Sequence, residues 1–393
     1  MIVVTCLAPV NIAVIKYWGK RDEQLILPLN DSVSVSLSTD QMHAKTTVMI
    51  SPNFEKDRLW LNGKEESCTS PRVQACLKEI RRRASQTQKG KKNNQGIDLW
   101  KVHICSENNF PTAAGLASSA AGYACLVTAV AKAYKVEGDY TTIARLGSGS
   151  ACRSVLGGFV RWHKGDQGDG SDSFASQILP ASHWPTIRIL ILVVSDSRKK
   201  ISSSYGMQRS VETSELLKHR ATHIVPQRTE QIIKAIKNHD FETFAELTMK
   251  DSNQLHSVCL DTYPPAVYMN DVSHTIVEFV HSYNKIKGTT KLAYTFDAGP
   301  NACLFLQEED VAEVVAAVKQ VFPPTDENNY IRGINVPEKT LDKDLVLPSG
   351  PQEAGSLRYI IHTKIGEGPS EINNPEGHLL DQNGLPKPKT GWI

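Results

Sequence analysis

Residues 2–10 form a short, apolar, β-branched run and predict an opening strand. Between 28 and 38, Val33, Val35 and Leu37 alternate with serines, the period of a half-buried strand. Further strands are expected at 46–50, 58–61 and 99–105, with Asn62-Gly63 as a hairpin turn. The spacing changes at 71–83, where Val73, Leu77 and Ile80 recur as on one face of a helix. Helices are also predicted in the alanine-rich segment that ends near Tyr134, and at 141–146, 211–218, 229–238, 241–252, 273–283 and 311–321. A fully buried strand is predicted at 187–194, which is apolar apart from Arg188. Strands at 292–296 and 302–306 are joined by Asp297-Ala298-Gly299-Pro300-Asn301, and 357–362 is strand-like. Three stretches lack periodicity and are expected as exposed chain: 81–95, 164–173, and a poorly packed tail from 366. A serine-rich basic loop is expected at 195–206.

Helices and strands mixed in this way make the chain α+β. Its 393 residues suffice for about two domains. The expected division is 1–185, 186–365 and a polar tail at 366–393, with the boundary near Pro185.

Composition removes several function classes. A formal charge of +2 gives no general argument for binding nucleic acid or an anionic membrane surface. The strongest apolar run, 189–194, is far too short to span a bilayer, and the N-terminus does not read as a signal peptide. The 8 cysteines include no C-x-x-C pair, so neither a zinc site nor a disulfide framework is expected. A reducing, cytoplasmic setting fits that usage.

Candidate chemistry gathers in four places. Residues 110–123, FPTAAGLASSAAGY, put small residues and two serines ahead of a helix. Unpaired N–H groups at a helix start can cradle an anion, and serine hydroxyls add donors for phosphate oxygens or a metal. A tightly packed Ala/Gly helix with a serine cap is the competing account. Residues 16–21, KYWGKR, interleave cations with aromatics. That stretch is open to three readings: a nucleic-acid patch, a basic strand end, or phosphate ligands. The small-residue loop at 147–154 carries Arg153, whose planar guanidinium suits a carboxylate or phosphate. Finally, Asp297 sits at a strand-to-turn junction, where a carboxylate can be exposed on a rigid base.

Taken together, these stretches resemble the GHMP kinases. Pro111-Thr112-Ala113-Ala114-Gly115-Leu116-Ala117-Ser118-Ser119-Ala120 is similar to their phosphate-binding signature, and no G-x-x-x-x-G-K-[ST] loop is present. Within that superfamily, residues 16–21, 148–153 and 297–301 resemble the mevalonate diphosphate decarboxylase family. The resemblance runs from Thr5 to about Leu306. It implies an N-terminal S5-like domain, a C-terminal ferredoxin-like domain, a site in the cleft between them, and a homodimer. The implied reaction uses ATP and Mg2+ to turn mevalonate 5-diphosphate into isopentenyl diphosphate, releasing ADP, phosphate and carbon dioxide.

The roles it implies are specific. Asp297 is matched to the catalytic base, Lys16 to its paired lysine, and Arg153 to the group that grips the substrate carboxylate. Tyr17, Trp18, Gly19, Lys20 and Arg72 match positions around the substrate diphosphate. Ser148, Gly149, Ser150, Ala151 and Cys152 line the same pocket, and Ser203 and Ser204 reach it from the second domain. Nucleotide contacts fall to Asn108, Asn109, Pro111, Ala113, Ala114, Gly115, Leu116, Ala117, Ser118 and Ser119. Ser119 is also the candidate catalytic hydroxyl linked to the metal, and no carboxylate is assigned as a protein ligand of magnesium. Two alternatives stay open: a kinase that stops after phosphorylation, and a binding protein that has kept the fold without the chemistry.

Overall fold

The computed structural model describes residues 1–88, 96–110, 118–195, 200–341 and 350–388. Its strands in chain order are β1 (Ile2–Pro9), β2 (Asn11–Ile15), β3 (Lys20–Asp22), β4 (Leu27–Pro28), β5 (Ser32–Ser36), β6 (His43–Ser51), β7 (Arg58–Leu61), β8 (Lys64–Glu66) and β9 (Lys101–Asn108). These are followed by β10 (Phe159–Trp162), β11 (Ala175–Leu179), β12 (Ile187–Val193), β13 (Leu292–Phe296), β14 (Ala302–Gln307), β15 (Ile331–Gly333), β16 (Tyr359–Lys364) and β17 (Ser370–Glu371). The helices are α1 (Pro71–Gln88), α2 (Ser118–Ala133), α3 (Thr141–Gly147), α4 (Ala151–Ser154), α5 (Ser203–Thr213), α6 (Glu215–His219), α7 (Val225–Lys237), α8 (Phe241–Asp261), α9 (Asp271–Lys287) and α10 (Val311–Val321).

Two sheets build the N-terminal half: a six-stranded one in the order β17-β1-β6-β9-β7-β8 and a four-stranded one in the order β11-β10-β5-β2. The C-terminal half is built on a five-stranded sheet, β13-β14-β12-β16-β15. At its centre β12 has all of its residues buried, as a strand with neighbours on both edges and covered faces requires. The ends of α9 follow from local chemistry. Asn270 and Ser273 form a reciprocal capping box, and Gly288 closes the helix in the left-handed region at φ 68°. Of all the helices, α8 matters most to the site. It packs against both β13 and β2, and so touches the two halves at once.

Several expectations need correcting. The serine face of β5 is buried, not half-exposed: Ser32, Ser34 and Ser36 are each 0% accessible. The segment around α4 covers that face, and Ser36 Oγ donates to the Leu156 carbonyl. The solvated loop expected from 81 is helical as far as Gln88, because Ala84 continues the buried stripe of Val73, Leu77 and Ile80. Arg81 there pairs with Asp57 at 2.8 Å. Residues 89–95 lie outside the described residues.

The expected helix at 211–218 is divided at Ser214, whose hydroxyl accepts the Leu217 N–H and caps α6. The loop expected to reach 206 instead gives way to α5 at Ser203, capped by Ser202; residues 196–199 are outside the description. The tail, too, is packed from 366 to 388; residues 389–393 lie outside the described residues. Strand β17 pairs with the edge of β1, Thr5 Oγ1 lies 2.7 Å from His378 Nδ1, and Leu380 is buried beside Met49, Trp60 and Cys105. The sequence signal is weak because the aliphatic residues there, Ile372, Leu379, Leu380 and Leu385, are few and follow neither period. Among the described residues, no helix is long and apolar enough to cross a membrane.

Leu380 gives a direct measure of that packing. Leu380→Ala is expected to cost about 2–4 kcal/mol in denaturant unfolding, as for other buried leucines. A cost below about 0.5 kcal/mol, typical of an exposed position, would restore the loose-tail expectation.

Candidate active site

The end of β2, the turn after β13, and the starts of α1, α2, α4 and α5 converge on a cavity of about 440 Å³. Lys16, Tyr17, Trp18, Lys20, Arg72, Ser118, Ser119, Ser148, Gly149, Ser150, Arg153, Ser203, Ser204 and Asp297 all line it. At its centre Lys16 Nζ lies 2.6 Å from Asp297 Oδ1. The lysine side chain is 2% exposed, while the aspartate, at 34%, opens into the cavity.

Arg153 forms the facing wall. Its Nε donates to Ser34 Oγ at 3.0 Å and to Asn11 Oδ1 at 3.2 Å, and Nη1 donates to Ser32 Oγ at 2.6 Å. Asn11 is itself fixed, donating to Ser154 Oγ at 2.7 Å. Among the described residues no carboxylate forms an ion pair with Arg153, although the side chain is buried. Burial pulls its pKa below the usual arginine range, and the charges of neighbouring groups, Asp297 among them, offset only part of that. A buried guanidinium held by neutral hydroxyls is a seat for an anion.

The remaining wall is cationic and hydroxylated. Lys20 is buried with its Nζ 2.6 Å from Glu23. Arg72 Nη2 donates to Ser204 Oγ at 3.3 Å, a contact that spans the two halves. The Tyr17 ring lies against Trp162 with centroids 4.6 Å apart, and its hydroxyl is buried without a hydrogen-bond partner among the described residues. Gly149 is required here by space, because a Cβ would stand 2.8 Å from Trp162 and 2.9 Å from the Tyr17 hydroxyl.

A second cavity, about 230 Å³ and lined mainly by apolar residues such as Leu59, Leu61, Val73 and Leu126, adjoins the first. Asn108 lines it, and Ser118 and Ser119 belong to both cavities. Ser119 Oγ is 3.4 Å from Ser148 Oγ.

Other candidates fall elsewhere. Gly19, at φ 88°, packs under Leu29, Leu217 and Val211, and does not line the cavity. Ala151 and Cys152 are wholly buried behind the wall. Burial pushes the Cys152 thiol up to about 12, which leaves it an inert core group. Asn109 braces the chain instead, accepting from the His43 N–H and donating to the Gln41 carbonyl. Pro111, Ala113, Ala114, Gly115, Leu116 and Ala117 lie outside the described residues.

Sequence reasoning missed Asn11, Ser32 and Ser34, although the serine alternation in β5 was a usable signal. It also missed His256 of α8, which nothing in the local sequence distinguishes. That ring hydrogen-bonds the backbone of Phe296, immediately before Asp297, and its Nε2 is buried without a partner.

Comparison with known proteins is consistent across the whole chain. Residues 8–175 match the family model for the diphosphomevalonate decarboxylase-like N-terminal domain. Residues 189–372 match that for the mevalonate 5-diphosphate decarboxylase C-terminal domain. The chain is 54% identical to the diphosphomevalonate decarboxylase of Bos taurus over 392 residues, covering 99% of this chain and 98% of that one. It resembles the solved mevalonate diphosphate decarboxylase from Trypanosoma brucei with a TM-score of 0.88 at 40% identity, over 97% of this chain and 100% of the other. It also resembles a structure described as MDDEF in complex with MVAPP, AMPPCP and magnesium, with a TM-score of 0.73 at 29% identity, over 95% of this chain and 99% of the other.

His256 supplies a pH signature. Burial, and then the Lys16 charge, push its pKa down to about 4. The unfolded chain therefore binds a proton that the folded chain rejects between about pH 6.5 and 4. Stability should fall as pH drops through that window, by on the order of 3 kcal/mol at its acid end. The difference between wild type and His256→Gln in urea unfolding at several pH values isolates this contribution. A difference that does not change between about pH 7 and 4 would contradict it.

Proposed function

This chain belongs to the mevalonate 5-diphosphate decarboxylase family, and from that premise we propose how its cavity carries out the ATP-dependent decarboxylation of mevalonate 5-diphosphate to isopentenyl diphosphate. The observation that carries the reading is the Lys16–Asp297 pair facing a buried Arg153 that has no acidic partner among the described residues.

The substrate has a tertiary alcohol between a carboxylate and a diphosphate. Hydroxide leaves poorly, so the alcohol is first made into a phosphate ester at the expense of ATP. Asp297 accepts the hydroxyl proton and holds the oxygen in line with the γ-phosphate. Lys16, fixed at 2.6 Å from that carboxylate, places a positive charge where the transferring group becomes crowded with negative oxygens. Phosphate then departs with the electrons of its C–O bond. The carboxylate's C–C electrons move toward the tertiary carbon, giving the alkene and carbon dioxide.

Arg153 has to serve that last step without opposing it. A strongly neutralised carboxylate gives up its electrons less readily, so the role of Arg153 is orientation. Ser32, Ser34 and Asn11 supply it by fixing the guanidinium plane. Lys20, Arg72 and the Tyr17 hydroxyl receive the diphosphate, with Ser148, Gly149 and Ser150 shaping that end. The apolar second cavity takes the nucleotide base, since Ser118 and Ser119 join it to the transfer site.

Magnesium fits this arrangement as an ion carried chiefly on phosphate oxygens. Among the described residues no cluster of three or more His, Cys, Asp or Glu is present to hold it, and Ser119, which lines both cavities, would offer it a hydroxyl oxygen. When bound, it neutralises charge on the β- and γ-phosphates.

The division near Pro185 puts Lys16 and Arg153 on one domain and Asp297 on the other. A homodimer is supported by exposed apolar side chains at Leu260, Tyr263 and Val267, beyond the site. A cytoplasmic location is consistent with cysteines that are buried throughout.

Purified protein given ATP, magnesium and mevalonate 5-diphosphate should release ADP, phosphate and carbon dioxide in equal amounts. ADP without carbon dioxide would identify a kinase instead. Asp297→Asn should lower kcat by about a thousandfold or more while nucleotide affinity stays within a fewfold; near-normal turnover would remove Asp297 from the reaction. Arg153→Lys keeps charge but loses the fork, so kcat should fall by roughly tenfold to a hundredfold. Wild-type rates in that variant would refute the orientation role.

A further inference from the structure

Both main-chain polar groups of Lys16 are gripped from the C-terminal half. Its N–H donates to Asp251 Oδ1 at 2.8 Å, and its carbonyl accepts from Arg220 Nη2 at 3.1 Å. Asn30 Nδ2 donates to the same carbonyl at 3.1 Å. Asp251 and Arg220 are 0% exposed and joined by two hydrogen bonds, of 2.7 and 2.9 Å. Arg228 adds a third donor to Asp251 at 3.1 Å. Burial would raise the Asp251 carboxyl, but the Arg220 charge and its hydrogen bonds outweigh that and hold it below the ordinary range. Arg220 opens a π-helical turn, Arg220–Ile224, between α6 and α7. Such turns are concentrated at functional sites.

The adjoining residue of α8 grips the residue before the other member of the reactive pair. Ser252 Oγ accepts the Phe296 N–H at 2.9 Å, directly before Asp297. One turn of one helix therefore holds the backbone of Lys16 and the backbone leading to Asp297. Lysine has a flexible four-carbon stem, so its ammonium is placed only as well as its Cα is. A buried ion pair is weak support for stability, because apolar replacements often serve as well. Its grip on both main-chain groups of a single site residue has a different use.

We infer that Asp251 and Ser252 of α8, together with Arg220, are positioning residues that set the register of the Lys16–Asp297 pair across the two halves of the molecule. The inference rests on the decarboxylase reading for its kinetic consequence, though not for its geometry. A displacement of about 1 Å at a reacting centre can cost on the order of a hundredfold in rate.

The test uses Arg220→Lys and Ser252→Ala in the full chain. Ser252→Ala removes one neutral hydrogen bond and no charge, so it keeps the question answerable even where Arg220→Lys does not fold. In each folded variant kcat should fall about tenfold to a hundredfold while KM for both substrates stays within about threefold. Adding Arg220→Lys to a Lys16→Met protein should cause no further loss of residual turnover, because the two changes act through one group. A kcat within about twofold of wild type, or an equal proportional loss in the Lys16→Met background, would overturn the inference. Crystals of Ser252→Ala give a readout that needs no turnover. The Lys16–Asp297 separation should lengthen beyond 2.6 Å, and an unchanged separation also overturns the inference. A wild-type protein that releases no carbon dioxide would refute the decarboxylase reading and leave that crystallographic result to decide the geometry alone.

Discussion

The structure turns on an ion pair whose two members belong to different halves of the chain. Lys16 directly follows a strand of the first half, and Asp297 directly follows a strand of the second. The lysine is nearly sealed from water while the aspartate keeps a third of its side chain toward the cavity. An ammonium buried without a partner would be costly, so the pair ties the two halves together at the same place where it faces the cavity. Everything else in the site is arranged around that junction. Arg153 stands on a floor of serines from β5, and Arg72 meets Ser204 across the same seam.

Charge is distributed locally in a way the whole-chain balance conceals. The net value of +2 is unremarkable, yet Lys16, Lys20, Arg72 and Arg153 all line one cavity, and among the described residues Asp297 is the carboxylate that lines it with them. A cleft with low-dielectric walls and one sign of charge concentrates ligands of the opposite sign. That suits a substrate with a diphosphate at one end and a carboxylate at the other. In the proposed reading Asp297 does the one task there that a cation cannot, which is to take a proton from a hydroxyl.

Much of this was legible in the sequence because the chemistry comes in long local runs. Residues 16–20, 148–150 and 118–119, with Arg153 and Asp297, carried unusual residue types at close spacing, and all of them except Gly19 line the cavity. Inside those runs, spacing alone could not tell wall from backing, so Gly19, Ala151 and Cys152 were named beside neighbours that face the cavity. The supporting residues were harder to see. Ser32 and Ser34 looked like the wet side of an alternating strand, and only the covering segment at α4 makes them a buried floor. Asp251 lies within α8 and Arg220 in the turn between α6 and α7, and their contacts with Lys16 span 235 and 204 residues. No local pattern encodes a contact of that range. The tail escaped for a related reason: its few apolar side chains follow no period, and their burial depends on surfaces supplied by β1, β6 and β9.

The central claim is that Asp297, fixed by Lys16, meets the tertiary hydroxyl while Arg153 holds the carboxylate. A crystal structure with mevalonate 5-diphosphate and a non-hydrolysable ATP analogue tests it most directly. The claim requires an Asp297 carboxylate oxygen at about 3 Å from the tertiary hydroxyl, with the substrate carboxylate on the Arg153 guanidinium. A ternary complex in which the hydroxyl points away from Asp297, or the carboxylate leaves Arg153 unengaged, would contradict it.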